Sequence, residues 1–206
     1  MSSQAAVENR FGAFIGTPVT EWLIDSQQPD RMMALKGDIA FRDKKQNRVW
    51  SAAAGQVVDG TSIPRALWTL IGSPFTGDYR RASIVHDIAC YDFPKEGPER
   101  RAADRMFYSA CRVGGCSALE AYYLYVGVRI GSLSTVALRW REPVADGPRT
   151  QETTTEVFVR SNYRVLAEDL TAGGVEELGP EDDPEVAERH LSELFRVYFN
   201  IEPDLT

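Results

Sequence analysis

His86 is one of two histidines in the chain, and the residues around it suit proton-transfer chemistry. Its neighbours one helical turn away, Ala82, Ala89 and Cys90, are all small and leave room for a substrate or a water molecule. Further along, Asp104 is set among apolar side chains, where desolvation strongly disfavours an unpaired carboxylate. A carboxylate bonded to one ring nitrogen of a histidine leaves the other nitrogen as a general base. The two residues therefore predict a catalytic His86–Asp104 pair.

Two other interpretations of this pair stay open from the residues alone. His86 can be a core histidine that bonds a backbone carbonyl, or its bond with Asp104 can be purely structural. Asp104 can instead pair with Arg100 or Arg101 on its own helix. The relative placement of the two helices decides among these interpretations.

Two further aspartates supply ligands for a hard cation. Asp87 follows His86 and points about 100° away from it on a helix. Asp59 begins a loop, residues 59–62, which adds carbonyl and hydroxyl oxygens, although an Asp-Gly turn that caps itself is the alternative. Two carboxylates with loop oxygens suit Ca²⁺, or else Mg²⁺. Zinc is not expected, because no other histidine precedes His190 and the cysteine spacing is unsuitable.

A small antiparallel sheet is predicted on the N-terminal side of these residues. Stretches rich in β-branched and aromatic residues occupy positions 17–24, 32–41 and 48–58, and a polar turn lies at positions 43–47. The chain is therefore expected to be α+β. The sheet is followed by an antiparallel helical core and then by a C-terminal strand and helix.

Helices are predicted to carry the candidate site. They begin or end at turn and capping residues: one opens at Pro64, one runs from Asp78 to about Tyr91, one from Pro98 to Gly114, and one from Ser117 to about Trp140. A short turn at positions 91–97 makes the second and third helices antiparallel. His86 and Asp104 are then expected at comparable heights.

The linker at residues 143–151 divides the chain into a core domain, residues 1–142, and an acidic C-terminal extension, residues 143–206. The extension is predicted to contain a strand at residues 153–160 and a helix from Pro184. From residue 167 onward it holds 12 acidic and two basic residues, whereas the rest of the chain is mildly basic. The extension is expected either to bind a protein partner or to fold back on the core.

Composition narrows the class of protein. An apolar content of 43% over 206 residues is enough for one substantial core, and a net charge of −7 disfavours binding to nucleic acid. The apolar stretch at residues 118–138 is not predicted to span a membrane, because Arg129 near the bilayer centre costs about 2.5–3.5 kcal/mol.

Without a recognisable secretion signal the chain is expected in the cytoplasm, with signal-less export or virion association as alternatives. Cys90 and Cys111 are predicted to be free thiols, about 15 Å apart along antiparallel helices.

Four short segments together resemble a family of unknown function carried by tailed phages and prophage-bearing bacteria. The similarity covers about residues 15–140, and the resemblance implies a phage-associated protein without assigning an activity. The segments are Asp59-Gly60-Thr61-Ser62-Ile63-Pro64, Tyr79-Arg80-Arg81-Ala82, Val85-His86-Asp87 and Ala103-Asp104-Arg105-Met106-Phe107.

The helix His86-Asp87-Ile88-Ala89-Cys90-Tyr91 is also similar to the His-Asp helix of secreted and bacterial phospholipase A2 enzymes. This resemblance implies that His86 activates water and that Asp104 orients it. It also implies that Asp87 and the Asp59 loop hold Ca²⁺. The chain departs from those enzymes in its N-terminal sheet and its unpaired cysteines.

The leading hypothesis from the sequence is a calcium-assisted ester hydrolase that acts on a phospholipid or another ester, with peripheral contact to a membrane. Ser62, Trp68 and Tyr91 are the residues predicted to line the substrate. One alternative is another metal-dependent hydrolase, directed at a phosphoester or a cell-wall substrate. The other is a non-enzymatic, phage-associated structural or binding protein.

Overall fold

The computed structural model describes residues 10–24, 32–58, 77–92, 97–133 and 182–184. These residues form two three-stranded antiparallel sheets followed by three helices, which confirms the predicted α+β class. The strands are β1 (Gly12–Ile15), β2 (Thr20–Leu23), β3 (Met32–Leu35), β4 (Ile39–Asp43), β5 (Arg48–Ala52) and β6 (Val57–Val58). The helices are α1 (Arg80–Asp92), α2 (Pro98–Gly114) and α3 (Ala118–Leu133).

The strand order is β1-β4-β5 in the first sheet and β2-β3-β6 in the second. The polar turn predicted at positions 43–47 closes the β4–β5 hairpin. There the carboxylate of Asp43 accepts hydrogen bonds from the backbone N–H groups of Lys45 and Gln46, at 2.9 and 3.2 Å. The Gln46 amide also donates to the carbonyl of Ala102 in α2, at 2.9 Å. This turn therefore ties the first sheet to the helices.

The strand boundaries differ from the predicted ones. The stretches 32–41 and 48–58, each predicted as one strand, are each divided by a turn. The two turns hold each other, because the Asp38 carboxylate accepts a hydrogen bond from the backbone N–H of Ala54 at 2.8 Å. β1 has no predicted counterpart. Gly12 at its start has a φ of 142°, and a Cβ there would lie 1.9 Å from the carbonyl oxygen of Arg42, so only glycine fits.

The helices follow the predicted order and direction. The start of α1 touches the end of α2, where a Cβ on Gly114 would lie 2.3 Å from the carbonyl oxygen of Asp78. α1 and α2 are therefore antiparallel. The capping box predicted for α3 is present: the N–H of Ser117 donates to the Glu120 carboxylate at 2.8 Å, and the N–H of Glu120 donates to the Ser117 hydroxyl at 3.2 Å.

α2 lies at the centre of the described core. It packs against α1 on one side, α3 on another and β1 at the sheet. The ring of Tyr108 in α2 meets Phe11 and Tyr125 edge to face, each at 6.1 Å between centroids. Any polar side chain on the buried faces of α2 must therefore find its partners within the protein.

Several predicted elements fall outside the described residues: the helix that opens at Pro64, the end of the fourth helix beyond residue 133, the linker, and the C-terminal strand. Of the C-terminal helix only its predicted start, near Pro184, is described. Within the described part of the chain, no helix is long and apolar enough to cross a bilayer.

Candidate functional site

The structure brings His86 and Asp104 together across α1 and α2. The Nε2 atom of His86 lies 2.8 Å from Oδ1 of Asp104, and both side chains are fully buried. The bond uses Nε2, so Nδ1 is the ring nitrogen left for other chemistry. The predicted pairing of the two residues is therefore present.

The helices fix this pair through their packing. The small side chains of Ala82 and Ala89 allow α1 to approach α2, and both are buried. The imidazole of His86 lies against the ring of Phe107, one turn beyond Asp104, with 4.7 Å between ring centroids. The ring is held on one face by an aromatic side chain and at one edge by a carboxylate.

Two arginines also contact Asp104. The Nε of Arg100, one turn earlier in α2, lies 3.4 Å from Oδ1, and Nη1 of Arg129 in α3 donates to Oδ2 at 3.2 Å. Arg100 thus joins His86 on the carboxylate instead of replacing it. Asp104 receives bonds from all three helices.

The part played by Arg129 is missing from the sequence prediction. A signal for it exists in the sequence: Arg129 is a charged residue on a largely apolar helix. A buried charge requires an opposite charge, and this rule applies inside a soluble core as it does in a membrane. The buried carboxylate of Asp104 is the partner that the rule demands.

The surroundings shift the pKa of both members of the pair. Burial alone lowers the pKa of His86, but the electrostatic interaction with Cys90 and the bond to Asp104 outweigh burial and raise this pKa to about 9. Burial raises the pKa of Asp104, yet the bond to His86 and the charges of His86, Arg100 and Arg129 hold it below its usual range. His86 is therefore mostly protonated beside the Asp104 carboxylate at neutral pH, and the unprotonated imidazole, the form that accepts a proton, becomes common as the pH approaches 9.

Cys90 is the third reactive group at the site. Its Sγ lies 3.7 Å from Nδ1 and 3.5 Å from Nε2 of His86, and the side chain is half-buried. Cys90 and Cys111 are free thiols, as predicted, and Cys116 is free as well. The sequence predicts Cys90 as a small neighbour one helical turn from His86, and the contact of its sulfur with the imidazole goes beyond that prediction.

The donor atoms of His86, Cys90 and Asp104 lie within 4.8 Å of one another, a nitrogen, sulfur and oxygen set of the kind that zinc binds. The two arginines argue against a divalent ion there. They occupy both oxygens of Asp104 and place positive charge beside it. The cluster does not suit Ca²⁺ either, because calcium takes oxygen ligands.

The other predicted site residues are less completely described. Asp87 is buried at 3% exposure on α1, directly after His86. Tyr91 is 49% exposed, next to Cys90. Asp59, Ser62 and Trp68 lie outside the described residues, so the predicted Asp59–Asp87 calcium site is represented by Asp87 alone.

Comparison with known proteins finds a partial match to a family without an assigned activity. Residues 33–128 match a family described as "Protein of unknown function (DUF1353)". Two proteins of Sinorhizobium fredii (strain NBRC 101917 / NGR234) are similar to the chain. Uncharacterized protein y4jT is 33% identical over 128 residues, which are 61% of this chain and 36% of the relative. Uncharacterized protein y4iH is 32% identical over 95 residues, 46% of this chain and 38% of the relative.

The chain thus spans little more than a third of the length of these relatives. No solved structure matches the chain. The matched family region runs from β3 into α3 and includes His86, Cys90 and Asp104, whereas Arg129 follows its last residue.

Proposed function

We propose that the protein is a hydrolase of carboxylic esters, similar in type to phospholipase A2, in which His86 and Asp104 move the proton of the reaction. The observation that carries this proposal is the buried bond between His86 Nε2 and Asp104 Oδ1 at 2.8 Å. It holds the imidazole through Nε2 and leaves Nδ1 outside this bond, 3.7 Å from the sulfur of half-buried Cys90.

In this reaction His86 takes a proton from the attacking group and passes it to the departing alcohol through Nδ1. Asp104 keeps the ring in one orientation and stabilises its positive charge. Arg100 and Arg129 hold the Asp104 carboxylate in place from either oxygen. The contacts of Asp104 with His86, Arg100 and Arg129 support these roles.

A lipid substrate is supported by an apolar surface around β2. Val19, Trp22 and Ile24 are 57%, 54% and 87% exposed. Exposed large apolar side chains of this kind commonly contact membranes or other proteins. A protein that acts on phospholipids needs such a surface. The exposed side chains around β2 are the proposed site of peripheral contact with the membrane.

Calcium is the proposed cofactor, with Mg²⁺ as the alternative, and Asp87 and Asp59 are the proposed ligands. A divalent ion bound there would stabilise negative charge on the carbonyl oxygen. The buried carboxylate of Asp87 beside His86 supports this assignment.

The experiment is a substrate screen on the purified full chain, with phospholipid vesicles, p-nitrophenyl esters, phosphodiesters and muropeptides. Calcium, magnesium or EDTA is added to each. Calcium-dependent release of fatty acid is expected from the vesicles, and His86→Gln should lower this rate about a hundredfold or more. Full activity in His86→Gln would refute the proposal. Turnover only of phosphodiesters or muropeptides would favour the other hydrolases.

A second candidate function is a non-enzymatic, phage-associated structural or binding protein. The observation that favours it is the complete burial of His86 and Asp104 with two arginines, an arrangement that can serve to join three helices. This candidate predicts no turnover of any substrate in the screen. It also predicts that calcium leaves the melting temperature unchanged and that His86→Gln lowers it.

A further inference from the structure

Of His86, Asp104 and Cys90, Cys90 is the residue that a substrate from the solvent can reach. His86 and Asp104 are fully buried, whereas Cys90, one turn along the same helix, is half-buried. Exposed Tyr91 follows it, so this turn of α1 opens to the surface. Contact between the His–Asp pair and an outside molecule is therefore most direct through the sulfur of Cys90.

The distances match those of a nucleophile and its base. Sγ is 3.7 Å from Nδ1 of His86, the nitrogen that the bond to Asp104 leaves over. It is also 3.5 Å from Nε2, so the sulfur lies over the ring and not in line with either nitrogen. The proposed reaction requires a rotation of the Cys90 side chain that brings Sγ into line with Nδ1. The order Cys90, His86, Asp104 is then that of a nucleophile, a base and an orienting carboxylate.

A buried donor lies in the same cluster. Arg129 is held by its bond to Asp104 through Nη1, and its Nε is buried without an acceptor among the residues that the structure describes. A buried N–H without an acceptor is uncommon in folded proteins. It offers a hydrogen bond to an oxygen that enters the cluster.

We propose that Cys90 is the nucleophile of this site and that His86 activates it. The identity of the substrate as an acyl ester rests on the proposed function. In this reaction Cys90 carries the acyl group as a thioester before water releases it.

The reaction balances in two steps. In the first, the thiol proton moves to Nδ1 of His86, sulfur bonds the carbonyl carbon, and the carbon–oxygen bond to the alcohol breaks. The alcohol leaves with the proton from His86. In the second step water gives a proton to Nδ1 of His86 and attacks the thioester, the carbon–sulfur bond breaks, and His86 passes this proton to sulfur as the carboxylic acid departs. No oxidant or reductant is needed.

Cys111 and Cys116 provide internal controls. Both are buried, and they face each other where α2 ends. The N–H of Cys116 donates to the carbonyl of Cys111 at 3.1 Å, and the N–H of Gly115 donates to that of Arg112 at 3.4 Å, the two bonds of a Schellman motif. These thiols serve the packing of the helix end and should react only when the protein unfolds.

The test is alkylation of the full chain by iodoacetamide at pH 7.5, with each cysteine followed by peptide mass spectrometry. Cys90 is expected to react about tenfold faster in the wild type than in His86→Gln or Asp104→Asn, because both variants remove its activation. Cys111 and Cys116 should stay unmodified. Cys116→Ala is the matched control and should leave the rate at Cys90 unchanged. Equal rates in wild type and His86→Gln would overturn the proposal.

Unfolding of a variant is recognised in the same data, because Cys111 would then react as well. In that case the comparison of the wild type with Cys90→Ser decides. Incubation of the wild type with a p-nitrophenyl ester should add one acyl group to Cys90, and Cys90→Ser should show neither this adduct nor a burst of p-nitrophenol. Ester hydrolysis that needs His86 but survives Cys90→Ser would overturn this inference and leave the proposed function standing. Fast, His86-dependent alkylation without any ester turnover would uphold Cys90 as the activated nucleophile and remove the ester as its substrate.

Discussion

Asp104 is the residue on which the buried charges of the core depend. It is the bonded partner of His86, Arg100 and Arg129, and it is completely buried. When one partner of a buried ion pair is removed, the remaining charges lose their compensation and cannot be rehydrated.

We therefore expect Asp104→Asn to lower the free energy of unfolding by about 3–5 kcal/mol, measured by urea denaturation. The matched control is Glu99→Gln on the same helix. Glu99 forms an exposed pair with Arg48 at 2.6 Å, and its loss should cost less than about 1 kcal/mol. Similar losses in the two variants would show that the buried network does not stabilise the fold.

His86 should make stability depend on pH. Folding raises its pKa from 6.5 to about 9 through Cys90 and Asp104, while burial and the positive charges of Arg100 and Arg129 oppose protonation. Stability from a raised pKa is complete below the unfolded value and disappears as pH rises through the folded value. The free energy of unfolding should therefore fall between about pH 6.5 and 9. Urea titrations at several pH values should show a smaller fall in this window for His86→Gln; an identical fall would contradict the assignment.

At the level of elements, the antiparallel contact of α1 with α2 sets the geometry of the site. Where α1 begins and α2 ends, Gly114 leaves only the space of a hydrogen atom beside the carbonyl oxygen of Asp78. Any side chain there must push the two helix ends apart, because the opposing atom is backbone.

Gly114→Ala should therefore destabilise the protein by about 1–3 kcal/mol through overpacking. Gly37→Ala is the control, since a Cβ there meets only the carbonyl oxygen of Thr17, at 3.9 Å. Chemical denaturation of both variants measures the difference. A loss at Gly37 as large as that at Gly114 would show that the close contact is not the cause.

The helical half of the site could be predicted from sequence because its determinants are local. Turn residues and helix periodicity place His86 and Asp104 on neighbouring helices, and the short connection makes these helices antiparallel. The bond from Arg129 could not be located in this way, because α3 approaches Asp104 through tertiary packing. Short strands such as β1 carry too few residues for a periodic signal, and the divided strands depend on turns that hold each other across the sheet.

Over the whole molecule, the acidic C-terminal extension touches the core at a defined point. The hydroxyl of Tyr108 donates to the carboxylate of Asp182, and Nε of Arg112 donates to its other oxygen at 2.9 Å. Burial and the bond to Asp182 raise the pKa of Tyr108. The contact supports an extension that folds back on the core, the second of the two expectations for this segment.

Asp182→Ala should lower the free energy of unfolding by about 1–3 kcal/mol, because it leaves a buried tyrosine hydroxyl without its acceptor. A double-mutant cycle with Tyr108→Phe isolates the contact, and its coupling energy should be at least about 0.5 kcal/mol. Zero coupling would indicate that the extension is a free arm. A partner protein would then be the better explanation of its charge.

Because α1, α2 and α3 all contact Asp104, local unfolding of one helix should disturb the other two. When one helix separates from its neighbours, a charged group loses its bond to the Asp104 carboxylate. The free energy of this local opening therefore includes the disruption of the shared ion-pair network. The slowest-exchanging amide hydrogens of the three helices should therefore share one protection factor. Native-state hydrogen exchange would find them opening as a single cooperative unit.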